Sequence, residues 1–261
     1  RTGKTRPSRI LRQRRSFQQR RVRACRHFSR SGLRQSRREP SSGESRCGLR
    51  LRTTSFGESR CDRGCLISCN ATATRGACRR APEGIEAAKG SNWKWSADYL
   101  IGKQLTGTRL GILGMGRIGR AVADRARSFG MKIHYHNRTR LNKDLEKGAI
   151  YHDSLKSLLS VSDFFSINCP ATKETKNILN DETINFFPDG AVISNSARGD
   201  MINDDAMVKA LKSGKIFSLG LDVYNGEPDI HPDYLKLPNV FILPHLGSST
   251  IKTRTAMADL A

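Results

Sequence analysis

The sequence predicts a doubly wound α/β domain, with helices on both faces of a parallel sheet, over residues 77–261. An Arg-rich segment precedes it, over residues 1–76. Two observations carry this division. From Ala77 onward, short apolar runs alternate with amphipathic stretches, and such alternation builds βαβ units. Charge also separates the two parts. The 261 residues carry 46 Lys and Arg against 24 acids, a net charge of +22. Residues 1–80 hold 22 Arg, one Lys and four acids, whereas residues 81–261 are close to neutral. No heptad or Gly-X-Y period exists, which excludes coiled coil and collagen. No run of about 18 apolar residues exists, which excludes a helical membrane span by this sequence.

The elements follow in order. Thr108–Leu113 (TRLGIL) reads as a strand, and Arg117–Phe129 as a helix with Ile118, Val122 and Phe129 on one side. Met131–His136 is a second strand, Ser154–Leu159 a short helix and Asp163–Asn168 a third strand. Asp181–Phe187 is a helix that Pro188 ends, because proline has no N–H and clashes with the preceding turn. Ala191–Asn195 is a buried strand. Asp204–Lys212 is a helix closed by Gly214. Phe217–Val223 and Val240–Leu243 complete the sheet.

Gly114, Gly116 and Gly119 form G-x-G-x-x-G between a strand and a helix, the context that a Rossmann-type dinucleotide site requires. Gly114 permits the tight turn, Gly116 lets backbone approach a pyrophosphate, and Gly119 lets helix and strand pack closely. Arg117 and Ile118 open the helix, whose free N–H groups and dipole favour phosphate. An NAD site usually carries an acid about 20 residues further on. Here Asn137, Arg138 and Thr139 stand in that region, with no acid. Arg138 can pair with a 2′-phosphate and Thr139 can donate to it. The pattern favours NADP(H), with NAD(H) as the alternative. Arg138 and Arg140 as solvated surface charges is the competing reading.

The motifs LGILGMGRIG, NCPATKETKNIL, AVISNSARGDMINDDAMVKAL, LGLDVYNGEP and LPNVFILPHLGSST occur in one order and spacing. Together they resemble the D-isomer-specific 2-hydroxyacid dehydrogenases, and within them the glyoxylate/hydroxypyruvate reductase branch. The resemblance covers residues 77–261. It implies reduction of a small 2-oxoacid to the D-2-hydroxyacid. It matches Arg198 to the arginine that grips carboxylate and carbonyl, a role suited to a planar fork of donors. It matches His245 to the acid/base and Glu227 to its partner; a nearby carboxylate favours the imidazolium. It places Cys169, Pro170, Thr175, Ala197, Asp222 and Gly247 around the cofactor. Cys169 reads as a buried thiol, with no base paired to it. His134, His136, His152 and His231 match no catalytic motif. The resemblance also implies a homodimer through the nucleotide-binding domain, near Trp93 and Trp95.

Complete members of the family are longer, with a substrate domain built from the N-terminal part and the last helix. Residues 1–76 do not resemble that domain, and the helix expected from Ser249 stops at Ala261. Cofactor binding is therefore expected to outlast turnover. The near-neutral second part, with few Cys and no signal peptide, points to the cytoplasm.

Residues 1–76 have no helical or strand period, and their composition predicts disorder. The excess of Arg over Lys, which ends at residue 80, matches an out-of-frame translation of GC-rich DNA. An RNA- or DNA-binding arm and an organelle transit peptide are the alternatives. Cys61, Cys65 and Cys69 lack the second pair that a zinc site needs, so no metal is expected. A nucleic-acid-binding protein using this arm, or a dinucleotide sensor, remains the alternative function. Neither needs Arg198, Glu227 and His245.

Overall fold

A computed structural model of the protein describes residues 62–91 and 93–259. Seven strands form its centre: β1 (Arg109–Leu113), β2 (Lys132–His136), β3 (Ile150–His152), β4 (Phe164–Ile167), β5 (Ala191–Asn195), β6 (Ile216–Leu221) and β7 (Val240–Ile242). The helices are α1 (Asp62–Cys78), α2 (Ala81–Gly90), α3 (Arg117–Ser128), α4 (Lys143–Glu146), α5 (Leu155–Leu159), α6 (Asp181–Ile184), α7 (Asp204–Ser213) and α8 (Ile251–Ala258). All strand pairs are parallel, in the order β3-β2-β1-β4-β5-β6-β7. The sheet begins at β1, steps outward to β3, and returns across β1 to lay down β4 through β7. A crevice therefore opens beyond the carboxyl ends of β1 and β4, where the direction of winding reverses.

Both faces of the sheet are covered, as a parallel sheet demands. Phe164 and Phe165, adjacent on β4 and so on opposite faces, are each 1% exposed. Excluding each ring from water contributes about 2 kcal/mol. Every residue of β5 is buried. At the amino ends, the Asp163 carboxylate accepts from the Arg109 backbone N–H, Nε and Nη2, which fixes β1 against β4. Asn203 caps α7 through the Ala206 N–H, and Gly214 closes it in the left-handed region at φ 79°.

The predicted elements recur with shifts. α6 is shorter than Asp181–Phe187: Asn180 and Thr183 form a capping box, and residues 185–187 continue as single turns. α3 turns Gly119, Val122, Ala123 and Ala126 inward, while Phe129 caps its end 38% exposed, so Phe129 does not share the buried stripe. Short β3 and α4 went unread, having too few residues for a period to show.

The expected boundary at residue 77 falls inside α1. This helix covers the sheet with small and polar residues, among them Asn70, Ala73 and Ala77. It lies so close that a Cβ on Gly220 would strike the Ala73 carbonyl oxygen. Among its described buried residues the apolar ones, Ala73, Ala77 and Cys78, are small, as so close an approach requires. Residues 1–61, most of the Arg-rich segment for which a nucleic-acid arm is one alternative, lie outside the described residues, as do the side chains of Cys65 and Cys69. No described helix is long and apolar enough to cross a membrane.

Candidate functional site

The glycine loop leaves β1 through Gly114, whose φ of 92° is open to glycine at little cost. A Cβ there would also lie 2.6 Å from the Cys169 backbone nitrogen. A Cβ on Gly119 would strike the Gly114 carbonyl oxygen. Around Gly116, in contrast, nothing lies within 4 Å of a Cβ position. Two glycines thus shape the turn, and the third leaves room beside the backbone. Gly116 is the N-cap of α3 and has no capping side chain, so the first-turn N–H groups of Arg117 and Ile118 face outward as an anion site. This arrangement fits a dinucleotide pyrophosphate. Asn137 Oδ1 accepts from the Met115 N–H at 2.6 Å, so that oxygen secures the loop.

Two lobes open from this loop. The first, about 660 Å³, is lined by Gly114, Gly116, Asn137, Arg138 and Thr139, and across from them by Cys169, Pro170 and Thr175. The second, about 490 Å³, is lined by Arg117, Ile118, Ala197 and Arg198. The lobes share Gly116, Asn168, Cys169 and Pro170. Burial pushes the Cys169 thiol up to about 11, so it is a neutral wall. Thr175 folds its own loop, accepting from the Thr172 N–H and donating to the Pro170 carbonyl. Arg138 is exposed at the lobe's rim. Arg140 is not a free surface charge: its Nε lies 2.8 Å from the buried Glu146 carboxylate.

Arg198, Glu227 and His245 follow β5, β6 and β7, so the three come from the carboxyl edge of adjacent strands. His245 Nδ1 lies 2.6 Å from Glu227 Oε2. An ionised carboxylate only accepts, so Nδ1 carries the proton and Nε2 faces away. The other oxygen, Glu227 Oε1, accepts from the Tyr224 N–H at 3.0 Å. Burial raises the Glu227 carboxyl, but its bonds to His245 and Tyr224, with the His245 and Arg198 charges, outweigh that and hold it below its ordinary value.

The supporting groups are buried. Asn195 donates from Nδ2 to the Arg198 carbonyl at 2.8 Å and accepts the Ala197 N–H at 3.0 Å. Gly199 then packs so tightly that a Cβ would strike the Tyr224 backbone, which joins the Arg198 loop to the Glu227 loop. Tyr224 Oη donates to the Leu243 carbonyl, two residues before His245. Asp222, placed around the cofactor by resemblance, is 1% exposed, and its oxygens accept the Leu246 and Gly247 N–H groups. These bonds hold His245 in the left-handed region at φ 51°, a conformation costing about 1 kcal/mol in a non-glycine residue. Asp222 and Gly247 thus meet each other directly.

The family whose sequence model matches residues 72–247 is the D-isomer specific 2-hydroxyacid dehydrogenase, NAD binding domain. The chain belongs to the D-isomer-specific 2-hydroxyacid dehydrogenases. It carries their NAD-binding domain. Among curated members, a glycerate dehydrogenase of Hyphomicrobium methylovorum is 43% identical over 189 residues, 71% of this chain and 59% of the relative. A glyoxylate reductase of Thermococcus litoralis is 40% identical, over 70% of this chain and 56% of the relative. A solved glyoxylate reductase from Paecilomyes thermophila superposes with a TM-score of 0.73 at 41% identity, covering 77% of this chain and 61% of the other. A D-lactate dehydrogenase from Aquifex aeolicus, solved with NAD and lactic acid, gives 0.69 at 29% identity, covering 77% and 65%. This dehydrogenase chain thus spans 56–59% of the length of those curated relatives.

Sequence reading missed Asn195, Gly199 and Tyr224. Their roles are contacts between loops far apart in sequence. An amide residue at the end of a wholly buried strand was the one signal for Asn195.

Proposed function

We propose that this dehydrogenase domain serves an NADP(H)-preferring reductase of small 2-oxoacids such as glyoxylate or hydroxypyruvate. The observation carrying this reading is the 2.6 Å Glu227–His245 pair within reach of the Arg198 charge. A bound reduced nicotinamide ring supplies the hydride. Arg198, on the wall of the second lobe, grips the substrate carboxylate and carbonyl through its fork of N–H donors. His245 gives the proton on Nε2 to the carbonyl oxygen as negative charge builds there. Glu227 fixes the ring's orientation through Nδ1. In the opposite direction, neutral His245 accepts the alcohol proton.

Arg138, exposed at the rim of the first lobe, reads the 2′-phosphate, and Thr139 donates beside it. Ala197, Cys169, Pro170 and Thr175 line the cofactor's path. Trp93 and Trp95, 51% and 84% exposed, are covered in a homodimer formed through this domain. A pure sensor has no need of a hydrogen-bonded Glu–His pair, which favours the enzyme.

Fluorescence titration with NADPH and NADH, beside a glyoxylate-dependent loss of NADPH absorbance, tests the reading. Native protein should bind NADPH about tenfold tighter than NADH, and Arg138→Ala should erase the difference. Failure to bind either nucleotide would overturn it.

A further inference from the structure

Resting on the NADP(H) reading, we infer that His136 is a second cation for the 2′-phosphate and takes up a proton as that phosphate binds. Four described residues lining the first lobe can ionise: His136, Arg138, Cys169 and Glu174. The Cys169 thiol is neutral. The Thr172 hydroxyl, with a smaller contribution from Arg138, holds the Glu174 carboxyl below its ordinary value. Arg138 and Glu174 therefore cancel, whereas a 2′-phosphate brings between one and two negative charges. Arg140 is engaged by Glu146 and lies over the Tyr151 ring. His136 is the remaining group among these residues that can become a cation.

The ring is already held for this task. His136 Nδ1 lies 2.9 Å from the His152 carbonyl oxygen, which only accepts, so Nδ1 carries a proton. Nε2 is the nitrogen left to gain one. The ionisable groups beside it are His152, whose carbonyl meets Nδ1, and Arg138, Cys169 and Glu174 on the lobe wall; Asp153 follows His152 in sequence, and α5, packed against β2, carries Lys156. Lys156 Nζ is drawn off over the Phe186 ring, 4.8 Å away. The His152 ring nitrogens are taken by His134 and Ser157, and burial keeps that ring below its ordinary protonation range. No second imidazolium there opposes charge on His136.

Calorimetric titration with 2′,5′-ADP and 5′-AMP, which need the first lobe alone, tests the inference at about pH 6 and about pH 8. The ratio of 2′,5′-ADP to 5′-AMP affinity should fall about tenfold as pH rises. His136→Asn keeps a donor for the His152 carbonyl and removes the titrating nitrogen, so it should abolish the fall. The sign decides, because the phosphate's own second ionisation, near pH 6, would raise the ratio with pH. A rising ratio in native protein, or a fall that His136→Asn leaves intact, overturns the inference. No preference for 2′,5′-ADP at either pH overturns the NADP(H) reading itself. A preference that Arg138→Ala removes and His136→Asn does not touch keeps that reading and discards this one. 5′-AMP affinity reports whether the variant is folded; if it is not, the native pH slope decides.

Discussion

Asn195→Ala should unfold the protein far more readily than its size suggests. The side chain is 0% exposed and makes two hydrogen bonds, to the Ala197 N–H and the Arg198 carbonyl. Each bond contributes about 1 kcal/mol, and a buried group left without a partner costs about as much again. The expected loss is about 2–4 kcal/mol. With an m-value of about 2–3 kcal/mol/M, that is a fall of about 1 M in the urea midpoint. Asn195→Asp keeps the acceptor for Ala197 but sets a second acceptor against the Arg198 carbonyl. Only the protonated acid can donate there, so its folded-state pKa rises. A raised folded pKa means stability fully present below the unfolded pKa and lost as pH rises through the folded one. Asn195→Asp should therefore be markedly weaker at about pH 8 than at about pH 5, and Asn195→Ala should not share that slope. Asn185→Ala is the control. It removes a bond of 2.7 Å to the Asp181 carbonyl on an exposed helix end and should stay within about 0.5 kcal/mol of native. Chemical denaturation of the three variants at the two pH values decides. If Asn195→Ala falls within the range of the control, the clamp on the Arg198 loop is not what the geometry indicates.

Gly116→Ala should fold with native stability, since its Cβ meets nothing within 4 Å, yet lose at least about tenfold in NADPH affinity; Gly119→Ala should lose stability first, as thermal melts would show. The Arg109 bonds hold the Asp163 carboxyl below its ordinary value, so its contribution is present above the unfolded pKa of about 3.8 and lost as pH falls through the folded one. Asp163→Asn should accordingly shift the urea midpoint at about pH 7 and shift it progressively less under strong acid. Burial and the neighbouring imidazole keep His134 below its ordinary range of 6.5, so the folded state takes up protons less readily than the unfolded chain. Stability should drop as pH falls below about 6.5, and His134→Phe should flatten that drop in denaturation midpoints between about pH 7 and pH 5.

What the sequence made legible follows from where the relevant forces act. β5 was read with its observed limits because burial on both faces writes a compact apolar start, Ala191 to Ile193, into the strand. Gly214 was read because a left-handed cap demands glycine locally. The glycine loop was equally local. α1 was not legible, because Ala73 and Ala77 are small only in answer to Gly220 and the sheet beneath them. The same holds at the site. Motifs named Arg198, Glu227 and His245, and the fold brings Glu227 and His245 into contact. The work of Asn195 and Asp222 was hidden, since each is defined by a backbone group on another loop.

The three strands that carry Arg198, Glu227 and His245 are also the outer half of the sheet, ending at β7. That strand is three residues long and, among the described residues, pairs on one side only. The glycine loop instead springs from β1, near the middle. Edge strands open at lower free energy than central ones. A brief fraying of β7 would carry His245 off Glu227 while leaving the nucleotide cradle closed. Amide hydrogens of residues 240–247 should accordingly exchange with solvent well before those of β1 and β4. The Glu227–His245 contact and the glycine loop thus stand on different parts of the sheet, and the contact should open before the loop on warming.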